Sequence, residues 1–188
     1  MGLERRSARA DVREAELSEI DSRFAAIVFW HSLEHLRHAG AALDRAAQLL
    51  APGGIVVVAI PNLDSLQARA FGERWFALDL PRHLVHVPSR ALIERLRELG
   101  VEPARVSYLR GGQVVFGWLH GIVGSLPGHP DLYDAIRRPE ARRGPMPVPQ
   151  RATTLVAGAL ALPISTACAL LEASLRRGGT VYVEARRS

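Results

Sequence analysis

The chain has 188 residues, 48% of them hydrophobic, which is enough for one well-cored domain, and its formal net charge is +5. It contains no lysine, and its arginines are scattered among 19 acids with only "RRPEARR" (137–143) dense, a distribution that argues against nucleic acid as a partner. The single Cys168 excludes an internal disulfide and no charged-then-apolar leader opens the sequence, so a reducing cytoplasm is the expected setting and Cys168 reads as a small core residue.

In chain order, "AAIVFW" (25–30) is a short apolar run rich in strand formers. "AGAALDRAAQLL" (39–50) has helical spacing and good helix formers, and "APGG" stops it. "IVVVAIPN" (55–62) is uninterrupted and β-branched, as a strand buried on both faces of a parallel sheet must be. "VPSRALIERLRELG" (87–100) opens with Pro88 and Ser89, sets Leu92, Leu96 and Leu99 on one stripe and ends on glycine, predicting a helix. "RVSYLR" (105–110) and "GTVYVEAR" (179–186) read as further strands. The alternation predicts an α/β, doubly wound sheet. Between the last two strands, "LPGHPDLYDAIRRPEARRGPMPVPQ" is proline-rich and charged and reads as an exposed loop, followed by the charge-free run "ATTLVAGALALPISTACALL" (152–171).

The stretch "FWHSLEHL" puts His31, Glu34 and His35 at i, i+3 and i+4, one face if helical. Two imidazoles and a carboxylate suit a transition metal. The spacing departs from the zinc-hydrolase pattern His-Glu-x-x-His, because the glutamate stands in another place. The competing reading has Glu34 acting electrostatically near the start of the following helix, His31 lining a pocket and His35 packing.

In this order the pieces "AAIVFWHSLEHLRHAGAALDRAAQLLAPGGIVVVAIPN" and "RWFALDLPRHLVHVPSRALIERLRELGVE" resemble the class I S-adenosylmethionine-dependent methyltransferases, in particular the ubiquinone-type O-methyltransferases. The resemblance covers about residues 20–110 and the final strand, and implies a Rossmann-like sheet with S-adenosyl-L-methionine as cofactor. It implies that Glu4 accepts the ribose hydroxyls, that Glu16 and Leu17 stand beside the adenine, and that His31 lines the cofactor pocket. Some ubiquinone-type members carry Glu-x-x-Glu-His, thought to hold a divalent cation; here His31 stands in the first place, followed by Glu34 and His35. The loop "DLPRHLVHVP" would face the acceptor, with His83 as a general base partnered by Asp79 and Arg82, or with His83 and His86 merely holding the loop through carbonyls. Trp75 and Phe76 would be acceptor-pocket walls or core.

The family's first strand and its acidic-x-Gly-x-Gly-x-Gly loop have no counterpart here, so the expectation is a methyltransferase shortened at its N-terminus: a partial core over 1–111, a helical insertion over 112–178, and the last strand over 179–188. Losing a central strand would expose sheet edges. The run at 152–171 meets the length of a membrane span, yet its mild apolarity, Pro163 and the return of the last strand to the sheet favour a helical cover over the acceptor site, or a helix lying on a membrane surface. The expected activity is methyl transfer to a small-molecule, lipid or glycan acceptor, at a hydroxyl. The alternatives are an inactive fragment serving as an interaction module and a membrane-associated structural protein.

Overall fold

The computed structural model describes residues 19–109 and 112–187. Four strands form one mixed sheet, β1 (Phe24–Trp30), β2 (Leu50–Pro61), β3 (Val101–Ser107) and β4 (Thr180–Arg187), in the order β1-β2-β4-β3. β1 and β2 are parallel, while β4 runs antiparallel to both of its neighbours. The sheet is the expected α/β one, with β2 as its spine: the β-branched run of residues 55–58 is flanked on both sides by hydrogen-bonded partners.

Register decides which residues meet the helices. Ile27 pairs with Val56 and Phe29 with Val58 in one direction, and Val58 pairs with Val183 and Ile60 with Val181 in the other. These side chains share a face and form the core with Ala42, Leu43 and Ala46 of α1 (Ala39–Leu49) and Leu92 and Leu96 of α3 (Ser89–Glu98). Each fully buried leucine or valine there contributes about 1.5–3 kcal/mol. The alternate residues face the other way, and Val28 and Trp30 are 56% and 53% exposed. Among the described residues β1 is an edge strand. The "APGG" turn enters as an irregularity of β2, where the register jumps from Phe24↔Leu50 to Ala26↔Ile55. β3 begins at Val101, earlier than its sequence pattern indicated.

Four helices complete the described chain around the carboxyl ends of β1 and β2: α2 (Leu66–Phe71), α4 (Gln113–Gly124), α5 (Leu132–Ile136) and α6 (Val148–Ser174). α5 lies inside the segment expected to be an exposed loop; Asp131 caps it by accepting from the Asp134 N–H at 2.9 Å, and Leu132 and Ala135 are buried. α6 continues through Pro163, with the Ser165 and Thr166 hydroxyls donating to the carbonyls of Ala161 and Leu162 around it. Cys168, expected in the core, is half-buried on this helix.

One buried polar knot ties these helices to the sheet. Glu172 of α6 is fully buried and accepts three hydrogen bonds, from the Gln67 backbone N–H (3.3 Å), the Gln67 side-chain amide (2.7 Å) and the Gly179 N–H (2.8 Å). Gln67 also donates to the Val114 carbonyl and accepts from the Trp75 indole N–H. Glycine is required around it: a Cβ on Gly117 would lie 1.9 Å from the Gln67 side-chain oxygen, and one on Gly179 would lie 2.1 Å from its nitrogen. Burial raises the Glu172 pKa, against the lowering effect of its donors. Glu172→Ala strands three buried donors and should cost about 3 kcal/mol or more at about 1–3 kcal/mol per orphaned group, measured as a lower urea midpoint at unchanged slope.

Candidate active site

The parallel strands β1 and β2 end at Trp30 and Pro61, beside the start of β4 at Thr180. Ligands of open α/β sheets gather at this carboxyl end, where loops present groups without helix cover. A cleft of about 250 Å³ lies there, lined by His31, Glu34, His35, Gln67, His83 and Thr180 among others. A larger cleft of about 860 Å³ adjoins it, lined by Trp75, His120, Asp131 and Arg137 among others. Phe76, Asp79, Arg82, Tyr133 and Arg143 line both, so the two chambers share a wall. His31 (φ 48°) and Asp79 (φ 33°) both hold left-handed backbone conformations, which cost about 1–3 kcal/mol in residues other than glycine and concentrate at functional sites.

In the smaller chamber His31 Nδ1 lies 3.3 Å from Glu34 Oε1. Glu34 is only 3% exposed, and its second carboxylate oxygen has no partner. The loop after β2 folds back onto this turn, with the N–H groups of Leu84 and Val85 donating to the Glu34 carbonyl. That return brings His83 against His35, ring centroids 4.8 Å apart. Each ring is fixed by a backbone carbonyl: His35 Nδ1 donates to Arg82 at 2.9 Å and His83 Nδ1 to Ala77 at 2.7 Å. Both Nε2 atoms therefore keep their lone pairs. Ligand atoms of Glu34, His35 and His83 lie within 4.8 Å of one another, a set that can hold a borderline divalent ion. The sequence spacing grouped His31 with Glu34 and His35; tertiary folding puts His83 in the third place and turns His31 toward Glu34.

The other expected roles redistribute. Asp79 and Arg82 pair with each other at 3.3 Å instead of partnering the His83 ring. His86 Nε2 donates to the Leu78 carbonyl, so both loop histidines brace the backbone. Trp75 is buried in the Gln67 knot, whereas Phe76 is the wall between chambers. Glu4, Glu16 and Leu17 lie outside the described residues.

The larger chamber holds a dyad that no sequence pattern indicated. His120 Nε2 on α4 lies 3.4 Å from Asp131 Oδ1 at the start of α5, and its ring stands among Phe76 and Phe116 with centroids 5.1 and 6.0 Å away. His120 Nδ1 is shielded from water and has no partner. The His120 hydrogen bond, aided by the Asp134 N–H and by Arg143, pulls the Asp131 pKa from its ordinary 3.8 to about 2. An aspartate so ionised is a fixed negative charge 3.4 Å from His120 Nε2. The helical run "QVVFGWLHGIVG" that carries His120 has no spacing link to Asp131, so only the packing of α4 on α5 could reveal the pair.

The methyltransferase-domain family matches the chain over residues 4–106, more than half of its length. The chain belongs to that family. Its fold is similar to that of a putative sarcosine dimethylglycine methyltransferase from Galdieria sulphuraria, at 12% identity and a TM-score of 0.49 over 93% of this chain and 58% of that one. A SAM-dependent methyltransferase from Archaeoglobus fulgidus aligns at 15% identity and a TM-score of 0.47 over 91% and 63%. A possible histamine N-methyltransferase from Thermotoga maritima aligns at 11% and 0.47 over 93% and 62%. The chain spans about half to three fifths of the length of most such structures, 54% and 62% for two of them. No curated protein sequence matches it.

The family's cofactor is S-adenosylmethionine, and the described residues fit one side of a pocket for it. His31 is anchored by its N–H to the Ala59 carbonyl at 2.8 Å, and the free Glu34 oxygen can accept from a hydroxyl or ammonium group.

Because the folded pKa of Asp131 is depressed, its stabilisation is fully present above about pH 4 and is lost as pH falls toward 2. Asp131→Asn keeps the cap on α5 and removes the charge. Its urea midpoint should therefore vary less than that of the wild type between pH 5 and pH 3.

Proposed function

We propose that this protein transfers a methyl group from S-adenosylmethionine to a small-molecule acceptor at a hydroxyl, with His120 as the general base and Asp131 as its orienting partner. The observation that carries this reading is the Asp131–His120 dyad facing a chamber large enough for a drug-sized molecule, next to the strand-end chamber where the family's cofactor belongs. The ubiquinone-type pattern around His31, Glu34 and His35 supports a hydroxyl acceptor over an amine.

When bound, the donor supplies an activated methyl on a sulfonium, so the protein's contribution is alignment and proton removal. The acceptor hydroxyl gives its proton to His120 Nε2, the ring nitrogen beside Asp131, as its oxygen gains the methyl group. The resulting imidazolium is stabilised by the Asp131 carboxylate, which stays ionised throughout the working pH range. Phe76, Phe116 and Tyr133 form an aromatic wall around the base, their rings 4.9–6.1 Å apart, and keep water from the transferring proton. Arg74, Arg137 and Arg143 on the chamber lining favour an acceptor bearing a carboxylate or acidic phenol. Glu34, His35 and His83 in the smaller chamber would hold a divalent ion, which would supply Lewis-acid polarisation of an oxygen bound to it.

The first experiment is calorimetric titration of the folded chain with S-adenosylhomocysteine, followed by radiolabelled methyl transfer to a panel of phenols and hydroxy acids. Saturable binding with transfer to a hydroxyl is the expected result, and a folded chain that binds no S-adenosylhomocysteine would instead support the inactive interaction module. His120→Gln retains a donor toward Asp131 and should lower the transfer rate by about 10²-fold or more. Its affinity for S-adenosylhomocysteine should stay unchanged.

A further inference from the structure

Two segments far apart in the chain are stitched together at the smaller chamber. The Leu84 and Val85 N–H groups donate to the Glu34 carbonyl and His35 Nδ1 donates to the Arg82 carbonyl, so the loop after β2 is held to the turn after β1 on both sides of His83. One ligand atom from each of Glu34, His35 and His83 then lies within 4.8 Å of the other two. Both rings are braced at Nδ1 by a backbone carbonyl, the support that fixes the tautomer and direction of a metal-ligating histidine. Glu34 is buried, His31 Nδ1 lies 3.3 Å from its Oε1, and its Oε2 is shielded from water with no partner. A bare buried carboxylate oxygen is costly until a cation or a donor fills it. The two arginines that line this chamber are paired elsewhere, Arg82 with Asp79 at 3.3 Å and Arg143 with Asp131 at 3.6 Å, so neither neutralises Glu34.

We propose that Glu34, His35 and His83 form a site for a borderline divalent transition ion, such as zinc or cobalt, that discriminates against magnesium, with His31 outside the coordination shell as the orienting partner of Glu34. Two imidazole nitrogens and one carboxylate match the preference of such ions. Magnesium demands a near-octahedral shell of oxygen ligands and keeps several of its waters. His31 is set apart from the ligands by its contact: its Nδ1 meets Oε1 of Glu34, and the bare oxygen is Oε2. His83 supplies the third ligand instead, from the loop that carries Phe76, Asp79 and Arg82, which line both chambers. An ion held there ties the shared wall of the chambers to the turn after β1. The use of its remaining coordination positions by an acceptor oxygen rests on the methyl-transfer reading, whereas the binding of the ion does not.

The test is calorimetric titration of the untagged full chain, stripped with a chelator and free of methyl donor and acceptor, with zinc, cobalt and magnesium chloride in turn. Zinc and cobalt should each bind saturably, and at least about tenfold more tightly than magnesium. Bound cobalt should show visible d–d absorption that added zinc abolishes. His83→Ala and Glu34→Gln, the second of which keeps the size of the side chain, should each lower cobalt affinity by about 10²-fold or more and remove that absorption. His31→Ala should keep the absorption with about a tenfold loss of affinity, the cost of an outer partner. Should His83→Ala lower the melting temperature of the ion-free chain, Glu34→Gln and His35→Gln carry the test. Magnesium bound as tightly as zinc, a folded chain with no saturable zinc or cobalt binding, or cobalt binding that survives these ligand substitutions overturns the proposal. Loss of the absorption in His31→Ala overturns the place given to His31. A chain that binds cobalt in this way but no S-adenosylhomocysteine fails the methyl-transfer reading and leaves the ion site standing.

Discussion

Everything at the functional end of this molecule hangs on the carboxylate of Glu172. Three donors converge on it from two distant segments, the start of α2 and the residue preceding β4. Through Gln67 the same knot reaches α4 and the indole of Trp75. A buried carboxylate is expensive and is tolerated only when its lone pairs are filled; here filling them fixes α6, α4 and α2 relative to the sheet. Gln67 of this knot also lines the smaller chamber and Trp75 the larger. Gly117 and Gly179 permit the approach, since any side chain at either would occupy the space of Gln67.

The chambers divide the chemistry between two electrostatic environments. The smaller gathers imidazoles whose Nδ1 atoms are committed to backbone carbonyls, beside a carboxylate oxygen that has no partner. The larger sets a histidine against an aspartate whose pKa is held near 2, within aromatic rings. Methyl transfer from an activated donor demands little covalent help, so positioning and the removal of one proton are the tasks a protein must supply. α6 adds a third environment. Its polar atoms are spent inward on the knot, and its apolar side chains are left facing out.

The sheet was legible because strand and helix periods are local. The β-branched run at 55–60, the stripe of Leu92 and Leu96, and Pro88 ahead of Ser89 each state their element without reference to the rest of the chain, and the order of the elements pointed to the family. The site was legible only in part. His31, Glu34 and His35 share a short turn, so their proximity could be read from spacing, but the arrival of His83 depends on backbone hydrogen bonds from Leu84 and Val85 to Glu34. The Asp131–His120 pair had no sequence signal at all. α4 has no conspicuous motif, and the charged, proline-rich composition around Asp131 has the ordinary appearance of a solvated loop.

The sequence by itself determined the α/β class, the register-bearing strands and the apolarity of residues 152–171, because those follow from propensity and periodicity. Tertiary structure alone decided which face of α6 turns outward. The inward side of α6 is fixed by Glu172, whose carboxylate accepts from Gln67 and Gly179, and its apolar side chains are left on the opposite side. It likewise decided which histidine meets which acid, because such pairs form across elements whose packing no local pattern encodes.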